Sequence, residues 1–170
     1  MRLDRRISRR KFDILCRQAL ECGRLAALVG AWKGCATPME LARPEYPRPQ
    51  CVRDPWLNLN GMWAFAFDPG CSGVARGLPA AESLPREIVV PYCPESRLSG
   101  LGDIDFHPAV WYRRSFTLPE DWDGRRVLLH IGASDHDTTV WVNGHEAGRH
   151  VGGYTPITCD ITSWLRRGEN

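Results

Sequence analysis

From residue 59 onward the apolar positions of this chain follow a period of two. Between Gly61 and Phe67, Met62, Ala64 and Ala66 alternate with Trp63, Phe65 and Phe67, which predicts a strand that is apolar on both faces. Asp68-Pro69-Gly70 ends it. Glu87-Ile88-Val89-Val90 reads as a short strand stopped by Pro91. From Val110 to Leu118, Trp111, Arg113 and Ser115 alternate with Tyr112, Arg114 and Phe116. Two arginines in mid-strand predict that one of them pairs with an acid or lies under an aromatic ring. The apolar run Val127–Ile131 and the alternation Thr138–Val142 lead into Asn143-Gly144. That pair suits a turn whose two central residues both need positive φ, so a type I′ hairpin is predicted, returning over His145 to Gly148. Ile157 to Ile161 is a further strand, and Thr162 to Leu165 a single helical turn with Thr162 near its N-cap. Short strands between Pro/Gly-containing loops, with no long helical period after residue 40, predict an antiparallel β-sandwich.

The segments between the strands carry the candidate chemistry. Arg43 to Gln50 holds three prolines and reads as an extended arm. Residues 70 to 87 form a loop with a helical turn near Ala80 to Leu84. Tyr92 to Val110 is a long irregular stretch, and a connection of that length in a compact domain is more often functional than a mere link. It contains Asp103, Asp105 and His107. Two aspartates at i, i+2 beside a histidine could serve acid/base chemistry or hold a cation, yet in a loop the same set commonly caps turns. Contact with a sugar, or packing against a neighbouring domain, is the expectation preferred over catalysis.

Five motifs in one order resemble a known family. They are Leu59-Asn60-Gly61-Met62-Trp63-Ala64-Phe65, Pro91 through Gly100, Trp111-Tyr112-Arg113-Arg114-Ser115-Phe116, and the run from Val140 through Asn143-Gly144 to Gly152-Gly153-Tyr154-Thr155-Pro156. The last is Asp160-Ile161-Thr162 ending in Gly168-Glu169-Asn170. Together they resemble the N-terminal sugar-binding domain of glycoside hydrolase family 2, which includes β-galactosidases, β-glucuronidases and β-mannosidases. The resemblance spans about residues 44 to 170 and implies a jelly-roll, galactose-binding-domain-like sandwich. It also implies that a further strand follows the Gly-Glu-Asn motif, so the domain over 43–170 is expected to lack its closing strand. In this family both catalytic glutamates lie on a barrel further along the polypeptide, and none of the glutamates here matches their motifs. The expected function is therefore that of the non-catalytic N-terminal domain of a family 2 β-glycosidase, with no catalytic residue and no cofactor. Its partners are carbohydrate and the catalytic domain of the parent glycosidase. Two alternatives stand beside it: a free-standing carbohydrate-binding module, which needs aromatic side chains such as Tyr92, Trp122 or Tyr154 to form a flat platform, and a ligand-free structural sandwich. Trp63, Trp111 and Trp141 lie inside strand patterns and are assigned to the core.

Composition narrows the picture a little further. A formal net charge of +2 gives no nucleic-acid footprint over the domain. The seven cysteines show no CxxC spacing, so no zinc site is expected, and the sequence leaves their pairing open. Residues 1–42 differ from the rest and are set aside as an N-terminal extension. Ser8-Arg9-Arg10-Lys11-Phe12 matches the core of a twin-arginine export signal, and Leu25 to Ala31 is a short apolar run. Cys35 sits where a lipoprotein would be lipidated, although Lys33 departs from that pattern. The alternative is an untargeted extension on a cytoplasmic protein. No stretch approaches the ~20 apolar residues of a transmembrane helix.

Overall fold

The computed structural model describes residues 11–16, 41–53 and 55–170. Nine strands are described: β1 (Lys11–Cys16), β2 (Trp56–Asn58), β3 (Gly61–Phe67), β4 (Arg86–Val90), β5 (Val110–Arg113), β6 (Arg126–Ile131), β7 (Asp137–Val142), β8 (His145–Val151) and β9 (Ile157–Asp160). The helical pieces among these residues are 3-10 turns of three residues, including Leu78–Ala80, Arg97–Ser99, Glu120–Trp122 and Thr162–Trp164. The strands form a four-stranded sheet in the order β2-β1-β6-β9, a three-stranded sheet β4-β3-β5, and the hairpin β7-β8. Every ladder among β3 to β9 is antiparallel. This is the all-β sandwich that the period-two pattern predicts.

The core follows from that alternation. In β9, Ile157 and Cys159 are buried while Thr158 and Asp160 are exposed, and Ile161 beyond it is 0% exposed. These three pack with Val127 and Leu129 of β6, Val140 and Val142 of β7, Leu59 and Trp122. A second cluster joins Phe65 of β3 to Ile88 and Val90 of β4. Trp63 and Ile131 pack against both clusters and weld them together. Burying each such side chain is worth about 1.5–3 kcal/mol. The hairpin turn has Asn143 at φ 51° and Gly144 at φ 83°, the two positive values that the Asn-Gly pair supplies. The register steps from Val140↔Gly148 to Trp141↔Glu146, so Ala147 is the extra residue of a bulge, and it turns onto the core.

One acid anchors the strand ends. The Asp68 side chain is buried, and its carboxylate accepts hydrogen bonds from Trp111 Nε1 (3.1 Å), from the backbone N–H of Gly73 (2.7 Å) and Ser72 (3.2 Å), and from Arg76 (2.9 Å). Burial alone would push this carboxyl up. The bonds from Trp111, Gly73 and Ser72 and the charge of Arg76 outweigh it, and the group titrates below the usual range. The Trp111 ring of β5 also stacks on the Trp141 ring of β7, with centroids 5.2 Å apart.

The first described strand, β1, falls inside the segment read as an N-terminal extension; it lies between β2 and β6 and pairs in parallel with both, Lys11 opposite Arg126 and Asp13 opposite Trp56, and three other expectations need correction. The alternation Phe12-Asp13-Ile14 suits a strand, but the arginine-rich lead-in makes it read as a signal. Ser8 to Arg10, the Leu25–Ala31 run and Cys35 lie outside the described residues. The 110–118 strand is shared out: its first half pairs with β3, whereas Phe116 exchanges both backbone hydrogen bonds with Asn170 and Thr117 bridges Glu169. The two mid-strand arginines hold backbone carbonyls, Arg113 Nε donating to Ala81 O at 2.7 Å and Arg114 Nη1 to Met62 O. At the last turn, Ile161 and not Thr162 takes the N-cap, and the Thr162 hydroxyl instead accepts the Val127 N–H at 2.9 Å.

Candidate functional site

The loop from β4 to β5 is built from its own turns. Pro91 ends β4 because it brings no N–H to the ladder. The Ser96 hydroxyl then caps the Arg97–Ser99 turn by accepting the Leu98 N–H. Ser99, almost fully buried, donates to Ser96 O at 2.7 Å and accepts the Leu101 N–H at 3.1 Å. Gly100 takes φ 88°, which lets the chain double back so that the Asp103 N–H reaches Pro94 O at 2.9 Å.

The three residues singled out by sequence meet at the loop's far end. Asp103 Oδ1 accepts the Asp105 N–H at 3.0 Å and lies 3.2 Å from His107 Nε2. The His107 ring stacks on Phe67 with centroids 3.7 Å apart, and the Arg86 guanidinium sits 5.2 Å from the centre of the Phe67 ring. The Asp105 N–H, and then His107, hold the Asp103 carboxyl below its ordinary range. The Asp105 side chain remains exposed, between Ile104 and Phe106. Sequence reasoning found the polar trio but not Phe67 and Arg86, which reach it from β3 and β4. The visible signal was the Ile104-Asp105-Phe106 alternation inside a loop.

A second polar group surrounds the end of the β7-β8 hairpin. Asp137 receives Arg149 through both oxygens at 3.1 and 2.6 Å, and this hydrogen-bonded partner lowers its pKa. His150 Nε2 lies 2.8 Å from Thr155 Oγ1, and Tyr154 stands in solvent at 87% exposure. Of the three aromatics suggested for the platform of a free-standing carbohydrate-binding module, Trp122 is 4% exposed and belongs to the core. The Glu120–Trp122 turn, closed by Trp122 N–H to Pro119 O, directs the indole inward.

What these groups can do chemically is limited by their charge state. A general acid needs a carboxyl raised towards neutrality. Among the described residues, the four carboxyls with displaced pKa values, Asp68, Asp103, Asp137 and Asp160, all move down. Asp160 is held there by the Thr162 hydroxyl and by Arg126 at 2.6 Å. Among the described residues no three His, Cys, Asp or Glu gather to hold a metal ion, and no helix is long and apolar enough to cross a membrane.

Known proteins resemble this chain in sequence and in fold. A β-glucuronidase from Paenibacillus borealis is 35% identical over 109 residues, covering 62% of this chain and 18% of its own. A β-galactosidase from Thermoanaerobacter pseudethanolicus is 38% identical over 117 residues, covering 66% and 14%. The solved β-glucuronidase of an uncultured Clostridium sp. superposes with a TM-score of 0.56 at 31% identity, over 66% of this chain and 20% of that one. The chain thus spans about a fifth of the length of such relatives. The model of the glycosyl hydrolases family 2 sugar binding domain matches residues 103–170, from Asp103 to Asn170. Over that span the chain matches the sugar-binding domain of the family 2 glycosyl hydrolases.

Proposed function

We propose that this chain works as the non-catalytic, N-terminal sugar-binding domain of a family 2 β-glycosidase, in which a separate part of the polypeptide carries the hydrolytic carboxylates. The observation that carries this reading is the match to about a seventh to a fifth of a β-galactosidase and a β-glucuronidase, together with the match to the domain described as sugar binding. The charge state of the acids supports it. Retaining hydrolysis uses one carboxylic acid as proton donor and a second carboxylate about 5 Å away as nucleophile. Here Asp68, Asp103, Asp137 and Asp160 are tied down as anions by structural hydrogen bonds. The purified chain should not cleave aryl β-glucuronides, β-galactosides or β-mannosides above a heat-killed control. Turnover that survives repurification and disappears on replacing a single Asp or Glu would overturn the reading.

A further inference from the structure

The apex of the β4–β5 loop offers two large apolar side chains to solvent, Ile104 at 84% and Phe106 at 90% exposure. Single apolar residues on a surface are ordinary. These two differ in being held out on a braced support. Asp103, immediately before them, is fixed to Pro94 O, and His107, immediately after, is stacked on Phe67 of β3. The Asp105 N–H between them is tied back to Asp103. An apex ordered in advance loses little freedom on binding, so its apolar area converts more fully into affinity.

We propose that Ile104 and Phe106 form a preformed plug that seats in an apolar recess of the catalytic polypeptide. The inference rests on the reading given under Proposed function, and in these relatives about four-fifths of the polypeptide lies outside the matched domain. Two features select a protein recess over other surfaces. Ile104 offers no flat face for a sugar ring, whereas a packed protein pocket accepts aliphatic and aromatic groups alike. Asp105 places a negative charge between the two apolar groups, which opposes an anionic membrane and suits a pocket with a polar or cationic rim.

The test joins this full chain ahead of the remainder of the Paenibacillus borealis β-glucuronidase, replacing that enzyme's matching first part. The joined protein is made with the natural residues and with Ile104→Ser/Phe106→Ser. The natural version should cleave an aryl β-glucuronide. The double substitution should lower its melting temperature and cut its activity by about tenfold or more, yet leave the melting of the isolated chain unchanged. An active joined protein indifferent to the substitutions overturns the plug alone. Equal loss of stability in the isolated chain overturns it as well, since the residues would then serve internal packing. An isolated chain that is a dimer, and becomes monomeric on substitution, assigns the apex to a second copy instead. If the natural joined protein folds but is inactive, the reading of the domain itself fails, and the plug with it.

Discussion

Gly148 is where the hairpin is least forgiving of a single atom. A Cβ built on it would lie 2.6 Å from Cys159 Sγ, well inside van der Waals contact. Gly148→Ala should therefore cost about 1–3 kcal/mol by overpacking. Cys159→Ala in the same chain should restore much of that loss, because the sulfur is the obstructing atom. Urea titrations of the two single variants and the double variant measure the coupling directly. At Asp68 the relevant variable is pH. Its folded carboxyl titrates below the ordinary aspartate value of 3.8, so the stability it contributes is complete above that value. That contribution is lost as pH falls through the folded value. Acid unfolding followed by tryptophan fluorescence should be less steep in Asp68→Asn, which is already without the anion at neutral pH. Sequence alone shows Asp68-Pro69-Gly70 as a turn. The bond to Trp111, 43 residues away, becomes visible only when β3 and β5 are placed side by side.

At the scale of elements, the β7-β8 turn holds more than two strands. Asn143 Nδ2 donates to Trp164 O at 2.7 Å and to Asn170 Oδ1 at 2.9 Å, and His145 stacks on the Trp164 ring with centroids 4.6 Å apart. Asn170 Oδ1 also accepts the Arg166 N–H, so the tail is pinned to the hairpin. Asn143→Ala removes these bonds and places alanine at positive φ, and should cost about 1–3 kcal/mol, read from the denaturation midpoint. The turn itself was legible beforehand because only a few residue pairs tolerate two positive φ values. β9 was legible because one face is buried and the other wet. Trp122 was not, since a tryptophan after Glu120-Asp121 looks exposed until the 3-10 turn swings it inward. The Asp103, Asp105 and His107 set was legible as a polar cluster. Its bracing role depends on Phe67 and Arg86, which come from strands distant in sequence.

For the whole molecule, the feature with the longest reach is β1. Its ladder with β6 joins Lys11 to Arg126, and Lys11 and Phe12 also belong to the Ser8–Phe12 motif. One stretch of backbone cannot be hydrogen-bonded on both sides in a sheet and lie open to an export receptor. Synthesis order makes this a matter of time. Arg126 is made 115 residues after Lys11, an interval of roughly 6–23 s at about 5–20 residues per second. If Arg9-Arg10 directs export, the exported fraction is set by a race within that window. Ile14→Pro removes a ladder donor and leaves the motif intact, so it should raise the exported fraction seen on cell fractionation, and changing Arg9 and Arg10 to Lys should abolish export in either background. Unchanged distribution in the arginine variant would mark the segment as an untargeted extension. If Arg9-Arg10 is such a signal, the parallel pairing of β1 with β6 works as a clock, closing the signal once β6 has been made and has folded against it.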